Sequence, residues 1–149
     1  MSREYPDHPR IGVGVVILGE KGVLLIRRAK PPRQGHWSLP GGAQKLGETV
    51  FEAAIREVQE ETGLKVEILG LIDVVDSITK EDKRVRYHYT LVDVLALEKP
   101  GQHSEENLKA GSDAALAAWI ALDNIPGLGL WSETERIINL GCEMRDALS

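Results

Sequence analysis

The chain has 149 residues, with 23 acidic and 18 basic side chains and a formal charge of −5. This length suits one domain with a substantial core, and 42% hydrophobic residues exclude a disordered chain. The acidic balance argues against nucleic acid as a main partner, because gripping a phosphate backbone requires a dense positive surface.

The single cysteine, Cys142, excludes an intrachain disulfide. The first residues do not resemble a signal peptide, and no apolar run is long enough to span a bilayer. We therefore expect a cytoplasmic protein without a nucleic-acid or membrane partner.

The first part of the chain predicts an arm, a hairpin and a glycine loop. Residues 1–10 are polar with two prolines and predict a flexible arm, which leaves 11–149 as a single domain. Apolar, β-branched runs at 11–18 and 23–28 predict a buried hairpin. Residues 37–42 predict a short strand that runs into a glycine loop.

A helix of about 13 residues is predicted next, between Thr49 and Gly63. Thr49 and Glu52 fit a capping box, in which each side chain bonds the backbone N–H of the other residue. Gly63 supplies the left-handed conformation that commonly ends a helix. The glycine loop therefore leads directly into this helix.

The second half of the chain predicts further strands and a last helix. Residues 66–75 and 85–97 are rich in β-branched and aromatic side chains, and the charged segment 77–84 predicts the turn between them. Residues 99–113 predict a polar loop, and 118–121 predict a short strand.

The last helix is predicted from Ser132 to about Leu148, with a second capping box formed by Ser132 and Glu135. Together with the earlier elements, it predicts an α/β domain in which a mixed sheet is flanked by at least two helices.

Three glutamates lie close together on the first predicted helix. At about 100° per residue, Glu57, Glu60 and Glu61 fall within roughly 100° of one another. The adjacent face carries the apolar residues Phe51, Ala54, Ile55 and Val58. Three neighbouring carboxylates repel unless a cation lies among them, and Mg²⁺ prefers oxygen ligands that it shares with substrate phosphates. A solvated acidic face is the alternative, but the preceding glycine loop favours a metal site because it offers the Gly41 carbonyl as a further ligand.

The spacing of these residues resembles a known signature. Gly42, five residues, Glu48, seven residues and then the run from Arg56 to Leu64 match the box of the Nudix hydrolases at all nine specified positions, over 23 residues. The resemblance covers nearly the whole chain from about Ile11. It implies the Nudix α/β/α sandwich, in which a mixed sheet lies between helices and the box forms a loop-helix-loop.

The resemblance also implies the reaction and its residues. Nudix enzymes hydrolyse a nucleoside diphosphate linked to another moiety, with water attacking a pyrophosphate phosphorus and Mg²⁺, or Mn²⁺ in its place, as cofactor. The implied metal ligands are the Gly41 carbonyl, Glu57, Glu60 and Glu61. The implied catalytic residues are Glu57 and Glu60, Arg56, which orients the carboxylates, and Glu48, which supports the site.

Other candidate residues lie outside the box. Many family members carry an acidic residue shortly before the strand that matches 118–121, and here the nearest is Asp113, with Glu105 and Glu106 as alternatives. The general base and the number of metal ions are therefore left open. Arg28 and Arg33 are candidates for contact with the substrate, as is Asp113. Aromatic residues that can stack on a base, or lie in the core or at the rim, are Trp37, Tyr87, Tyr89 and Trp131.

The substrate is less determined than the reaction. The sequence lacks the markers of the diadenosine polyphosphate, coenzyme A and NADH subfamilies and the usual ADP-ribose marker. The residues around the box, 27–30, 35–42 and 111–114, most resemble small, MutT-like, ADP-ribose pyrophosphatase-like proteins of bacteria. ADP-ribose or a related nucleotide sugar is thus the first candidate. The alternatives are a sanitising hydrolase of normal or oxidised nucleoside triphosphates and a nucleotide-sensing module without catalysis. The partner is a small-molecule nucleotide in each case, and a homodimer is compatible with the family.

Overall fold

The computed structural model describes residues 3–29, 35–102, 108, 110–111 and 114–149. They form one mixed sheet with helices on both faces. The strands are β1 (Arg10–Gly19), β2 (Gly22–Arg28), β3 (Trp37–Ser38), β4 (Gly41–Ala43), β5 (Val66–Glu81), β6 (Arg84–Glu98) and β7 (Ala114–Ile120). The helices are α1 (Val50–Thr62) and α2 (Ser132–Leu148), with a 3₁₀ turn at Leu122–Asn124. Within these residues, no helix combines the length and apolar character needed to cross a membrane.

Strand β1 lies at the centre of the sheet, whose order is β3-β2-β1-β6-β5. It runs parallel to β6, from the pair Arg10 and Tyr89 to the pair Leu18 and Leu97. The other pairings are antiparallel, including β4 on β1 and β7 on β2. Seven successive residues of β1, 12–18, are buried, because both faces of this strand are covered.

Two apolar clusters cover the two faces. Val15 and Ile17 pack in one cluster with the α1 residues Ala53, Ala54 and Val58. Val16 and Leu18 pack in the other cluster with Ile137 and Ile138 of α2. Alternation along β1 therefore places one helix on each side of the sheet, which confirms the predicted α/β/α sandwich.

The predicted hairpin at 11–28 is confirmed, with Leu18 paired to Val23 and Gly19 to Gly22. The predicted strand at 37–42 is divided instead into β3, on β2, and β4, on β1. Pro40 lies between the two short strands and has no N–H to donate to a ladder, which explains the division.

The predicted turn over 77–84 is wrong in extent. Strands β5 and β6 pair as far as Glu81 and Arg84, so the turn contracts to Asp82 and Lys83. Both turn residues have positive φ, 51° and 67°, as two-residue hairpin turns require. The charged residues of this ribbon are tolerated in strands because its end is exposed to solvent on both faces.

The helix ends agree only in part with prediction. The α1 capping box is confirmed, because Thr49 Oγ1 accepts from the Glu52 N–H at 3.1 Å and Glu52 Oε1 accepts from the Thr49 N–H at 2.9 Å. Gly63 ends α1 with φ +77°. At α2 the predicted box is wrong: Ser132 is already helical, and Trp131 is the N-cap without a side-chain cap bond.

Three further predicted segments are described at least in part by the structure. The strand at 118–121 is longer than predicted and begins at Ala114, because it pairs with β2 along most of its length. The loop predicted at 99–113 lies partly outside the described residues. In the predicted arm, the Tyr5 N–H donates to the Arg86 carbonyl at 2.7 Å, and the Arg84 guanidinium lies 4.0 Å from the centre of the Tyr5 ring.

Candidate active site

A glycine turn is held between the sheet and helix α1. Gly41 and Gly42 pair with Gly14 and Val13 of β1. A Cβ on Gly41 would lie 2.0 Å from the Val13 carbonyl oxygen, and a Cβ on Gly42 would lie 2.6 Å from the Glu57 carboxyl carbon. Only glycine therefore allows the turn to approach β1 and the Glu57 carboxylate this closely.

Arg56 connects the turn to the acidic residues of the helix. Its guanidinium bonds Glu48 through two nitrogens, at 3.0 and 2.6 Å, and donates to the Ala43 carbonyl at 3.0 Å. The same group donates to Glu57 at 2.7 Å and to Glu60 at 3.3 Å. One side chain thus contacts three carboxylates and the backbone of β4.

The electrostatics of this cluster follow from the same contacts. The Arg56 hydrogen bonds, with a further bond from the Lys45 N–H, lower the pKa of Glu48 to about 2. Hydrogen bonding to Glu48 likewise raises the pKa of Arg56, although its partial burial acts in the opposite direction. Both groups are therefore fully charged near neutral pH.

Helix α1 presents its three candidate ligands unequally. Glu61 is 3% exposed and accepts from the Gly41 N–H at 2.7 Å, whereas Glu60 is exposed. Within the part of the chain that the structure describes, no three Asp, Glu, His or Cys side chains converge closely enough to hold a metal ion as they stand. Glu57 and Glu60 bond Arg56 instead, but a set of three carboxylates beside a backbone carbonyl is the hard-oxygen donor chemistry that fits Mg²⁺.

The apolar face of α1 differs from its prediction. Phe51 and Ile55 are 44% and 38% exposed, whereas Ala53, Ala54 and Val58 are fully buried. Small side chains line the buried face because α1 packs closely on β1 and β4. Of the four residues predicted for this face, Ala54 and Val58 are confirmed as buried, whereas Phe51 and Ile55 are not.

A cavity of about 260 Å³ adjoins the glycine turn. Its floor comes from alternate residues of β6, which all point to the same face of the sheet: Tyr87, Tyr89, Leu91 and Asp93. Arg28 also lines this cavity, as do Trp131 and Glu133 at the start of α2. Three of the aromatic candidates therefore meet there, whereas Trp37 packs against the α2 side of the core.

Some predicted residues are not tested by this arrangement. Arg33, Glu105, Glu106 and Asp113 lie outside the described residues. Of the three candidate substrate contacts predicted from the sequence, only Arg28 belongs to the described residues, and it lines the cavity.

Asp93 is a cavity residue that was not predicted from the sequence. It lies within an otherwise apolar strand run, 91–97, and an acidic residue in such a run is the signal that would have found it. Burial raises the pKa of Asp93 to about 6, and the neighbouring carboxylates of Asp73 and Glu133 act in the same direction while Arg136 opposes them.

Comparison with known proteins identifies the class that this fold and site define. A model of the NUDIX domain matches residues 8–139, and the chain belongs to the Nudix family. It is similar to the ADP-ribose pyrophosphatase of Methanocaldococcus jannaschii, with 38% identity over 131 residues that cover 88% of this chain and 72% of that protein.

Two further relatives agree with this assignment. A putative mutator protein MutT4 of Mycobacterium tuberculosis is 34% identical over 153 residues, which cover 99% of this chain but 60% of that protein. The crystal structure of a MutT NUDIX hydrolase from Burkholderia pseudomallei superposes with a TM-score of 0.75 and 30% identity, over 90% of this chain and 98% of that one. The chain is therefore an enzyme, a Nudix pyrophosphohydrolase.

Proposed function

We propose that this enzyme hydrolyses the pyrophosphate bond of a nucleoside diphosphate linked to another moiety, with ADP-ribose or a related nucleotide sugar as substrate. The observation that carries the proposal is the Arg56 cluster, which gathers Glu48, Glu57 and Glu60 beside the glycine turn. The choice of substrate is supported by the 38% identity to a protein named ADP-ribose pyrophosphatase.

Glu57, Glu60, Glu61 and the Gly41 carbonyl would hold Mg²⁺, with Mn²⁺ as a substitute. When bound, the metal would neutralise the pyrophosphate and lower the pKa of a water molecule. Arg56 keeps the carboxylates of Glu57 and Glu60 within reach of one another, on the side of the helix that adjoins the turn. Glu48 in turn fixes the guanidinium by a bidentate bond and balances its charge.

Glu57 and Glu60 are candidates for the proton acceptor of the attacking water, and an acidic residue of the later segment, Asp113, Glu105 or Glu106, is the alternative. Both lie beside the turn, and neither is assigned ahead of the other. Glu61 is held by the Gly41 N–H, which suits a ligand that must keep one position. Arg28 at the cavity is proposed to contact the substrate, and the same role stays a prediction for Arg33 and Asp113.

The test is a panel of nucleotides incubated with purified enzyme and Mg²⁺ or Mn²⁺, with identification of the products. We expect AMP and ribose 5-phosphate from ADP-ribose. Glu57→Gln and Glu60→Gln should each lower kcat by at least about 10²-fold. Glu143→Gln, on the exposed side of α2, is the matched control and should leave kcat unchanged. Hydrolysis that is absent from the whole panel, or indifferent to both substitutions, contradicts the proposal.

A second candidate is hydrolysis of normal or oxidised nucleoside triphosphates, which the similarity to a putative mutator protein favours. The products decide, because this reaction releases a nucleoside monophosphate and inorganic pyrophosphate. Tight ADP-ribose binding without turnover would instead indicate a sensing module. The homodimer and the lack of nucleic-acid and membrane partners stay predictions from the sequence.

A further inference from the structure

Several large apolar side chains stay exposed on one side of the sheet. Six of them keep between 38% and 52% of their surface open to solvent: Ile11, Phe51, Ile55, Leu71, Val74 and Ile78. Single exposed hydrophobic residues are normal, whereas a contiguous group of them marks a contact site. The strand register and the orientation of α1 decide whether these six are contiguous.

The three β5 residues lie on the face of the sheet that carries α1. Val94 of β6 is buried in the cluster with α1, and Leu71 is its cross-strand partner. Positions 92 and 88 alternate with Val94 along β6, and they pair with Val74 and Ile78. Because paired residues project to the same side of a sheet, all three β5 side chains point to the α1 side.

Ile11 and the two α1 residues complete this face. Ile11 alternates along β1 with Val13, which packs in the α1 cluster. On α1, Glu57 faces β4, which lies on the edge of β1 opposite to β6. Phe51 and Ile55 are one turn apart and roughly 120–160° from Glu57 around the helix, so they face β6 and β5. The six side chains therefore form one continuous apolar face.

The size of the apolar face matches what a stable dimer buries. At these exposures, the six side chains leave on the order of 500 Å² open to solvent. A standard interface buries about 800 Å² on each partner, of which about 55–65% is apolar. The six side chains therefore supply the apolar part of one standard interface, and the polar residues around them supply the remainder.

The charges within and beside this face favour a second copy of the same chain. Asp76 lies between Val74 and Ile78 on the same side of β5 and is exposed. Arg84, also exposed, alternates with position 88 along β6 and carries the opposite sign. A two-fold axis sets the face against itself, so Asp76 of one copy can meet Arg84 of the other. A partner with one dominant sign of charge would repel one of these two groups.

We propose that the apolar face is the dimer interface of this enzyme and that its occupant is the same face of a second copy. The homodimer predicted from the sequence thereby gains a contact surface. The Glu57 side of α1 points away from it, and the cavity lined by Asp93 lies on the other face of the sheet. Each copy therefore keeps its own candidate site open, and the inference does not depend on which nucleotide is the substrate.

The first test is sedimentation velocity over an about hundredfold range of protein concentration. We expect the wild type to sediment with twice the mass of one chain and to dissociate on dilution. Val74→Glu should raise the Kd of the dimer at least about 100-fold, because a carboxylate would be buried on an apolar surface beside Asp76. The same variant should keep its kcat and its midpoint in a urea titration, since position 74 is exposed in the single chain.

Leu116→Glu is the matched control. Leu116 is a strand residue that is 46% exposed, but it pairs with Arg27, which alternates with Leu25 of the α2 cluster. It therefore lies on the opposite face of the sheet, and its substitution should leave the Kd of the dimer unchanged.

A thiol on the face gives a second measurement that does not weaken the contact. Cys142→Ser removes the single native cysteine, and Val74→Cys is made in that background. The rate of reaction with a small maleimide should fall about tenfold from dilute to concentrated protein, because the thiol is covered in the dimer. Leu116→Cys in the same background should react at one rate throughout.

Three outcomes overturn the inference. A dimer that forms with full affinity in Val74→Glu has its interface elsewhere. A wild-type chain that is monomeric at every concentration, with slow labelling of Val74→Cys, covers the face with its own residues. A monomer with fast labelling at every concentration leaves the face for a different protein.

Discussion

Substituting Gly42 by alanine tests whether the turn positions the Glu57 carboxylate. The new Cβ would lie 2.6 Å from the Glu57 carboxyl carbon, whereas ordinary contacts begin near 3.4 Å, so the carboxylate must move by about 0.8 Å. A misplacement of about 1 Å at a reacting group costs roughly 10²-fold in rate, which corresponds to about 2.7 kcal/mol of activation free energy.

The fold should tolerate this change. The contacting atoms are the end of a flexible side chain, and replacing glycine by alanine reduces the freedom of the unfolded chain. We expect the free energy of unfolding to change by less than about 1 kcal/mol in a urea titration, while kcat for pyrophosphate hydrolysis falls about 10²-fold. Gly127→Ala is the control, because its Cβ would meet nothing closer than 3.9 Å. A fully active Gly42→Ala enzyme, or one that loses activity only because it unfolds, would refute the reasoning.

Three other predictions concern single side chains. Arg56→Lys should lower the free energy of unfolding by about 2 kcal/mol in a urea titration, because a lysine cannot reproduce the bidentate bond to Glu48. The control is Arg145→Lys, which should change the free energy of unfolding little because Arg145 forms one ion pair. Equal effects of the two substitutions would contradict the stabilising role of the Arg56 contacts. Burial raises the Asp93 pKa from 3.8 to about 6, so the folded state binds the proton more tightly and stability falls as pH rises between these values, by up to about 3 kcal/mol. Asp93→Asn should remove that fall in thermal unfolding followed from pH 4 to 8, and an unchanged pH profile would refute it. Thr49→Ala should lower the free energy of unfolding by about 1 kcal/mol in a urea titration, because the Thr49 side chain caps its helix. Ser132→Ala should change it almost not at all, because Ser132 does not cap α2. Similar losses at both sites would show that the α2 cap is misassigned.

Local signals determined the parts of this protein that depend on short-range chemistry. The box spacing, the Thr49 cap and the Gly63 stop placed helix α1 correctly, because each bond involved joins residues three or four apart. The same kind of signal failed at Ser132, because this residue is already helical and the N-cap, Trp131, makes no side-chain cap bond. It also failed for Phe51 and Ile55, whose exposure is decided by how closely α1 approaches the sheet.

What the sequence by itself determined is therefore the family, the general pyrophosphohydrolase activity and the spacing of the box carboxylates, since these follow from one continuous segment. Only the tertiary structure decided what surrounds them. Pairing of β1 with β6 brings Gly14 opposite Asp93, which are 79 positions apart in the printed numbering. Residues so far apart meet because strand register and helix packing are set by the whole core, and no local pattern encodes that contact.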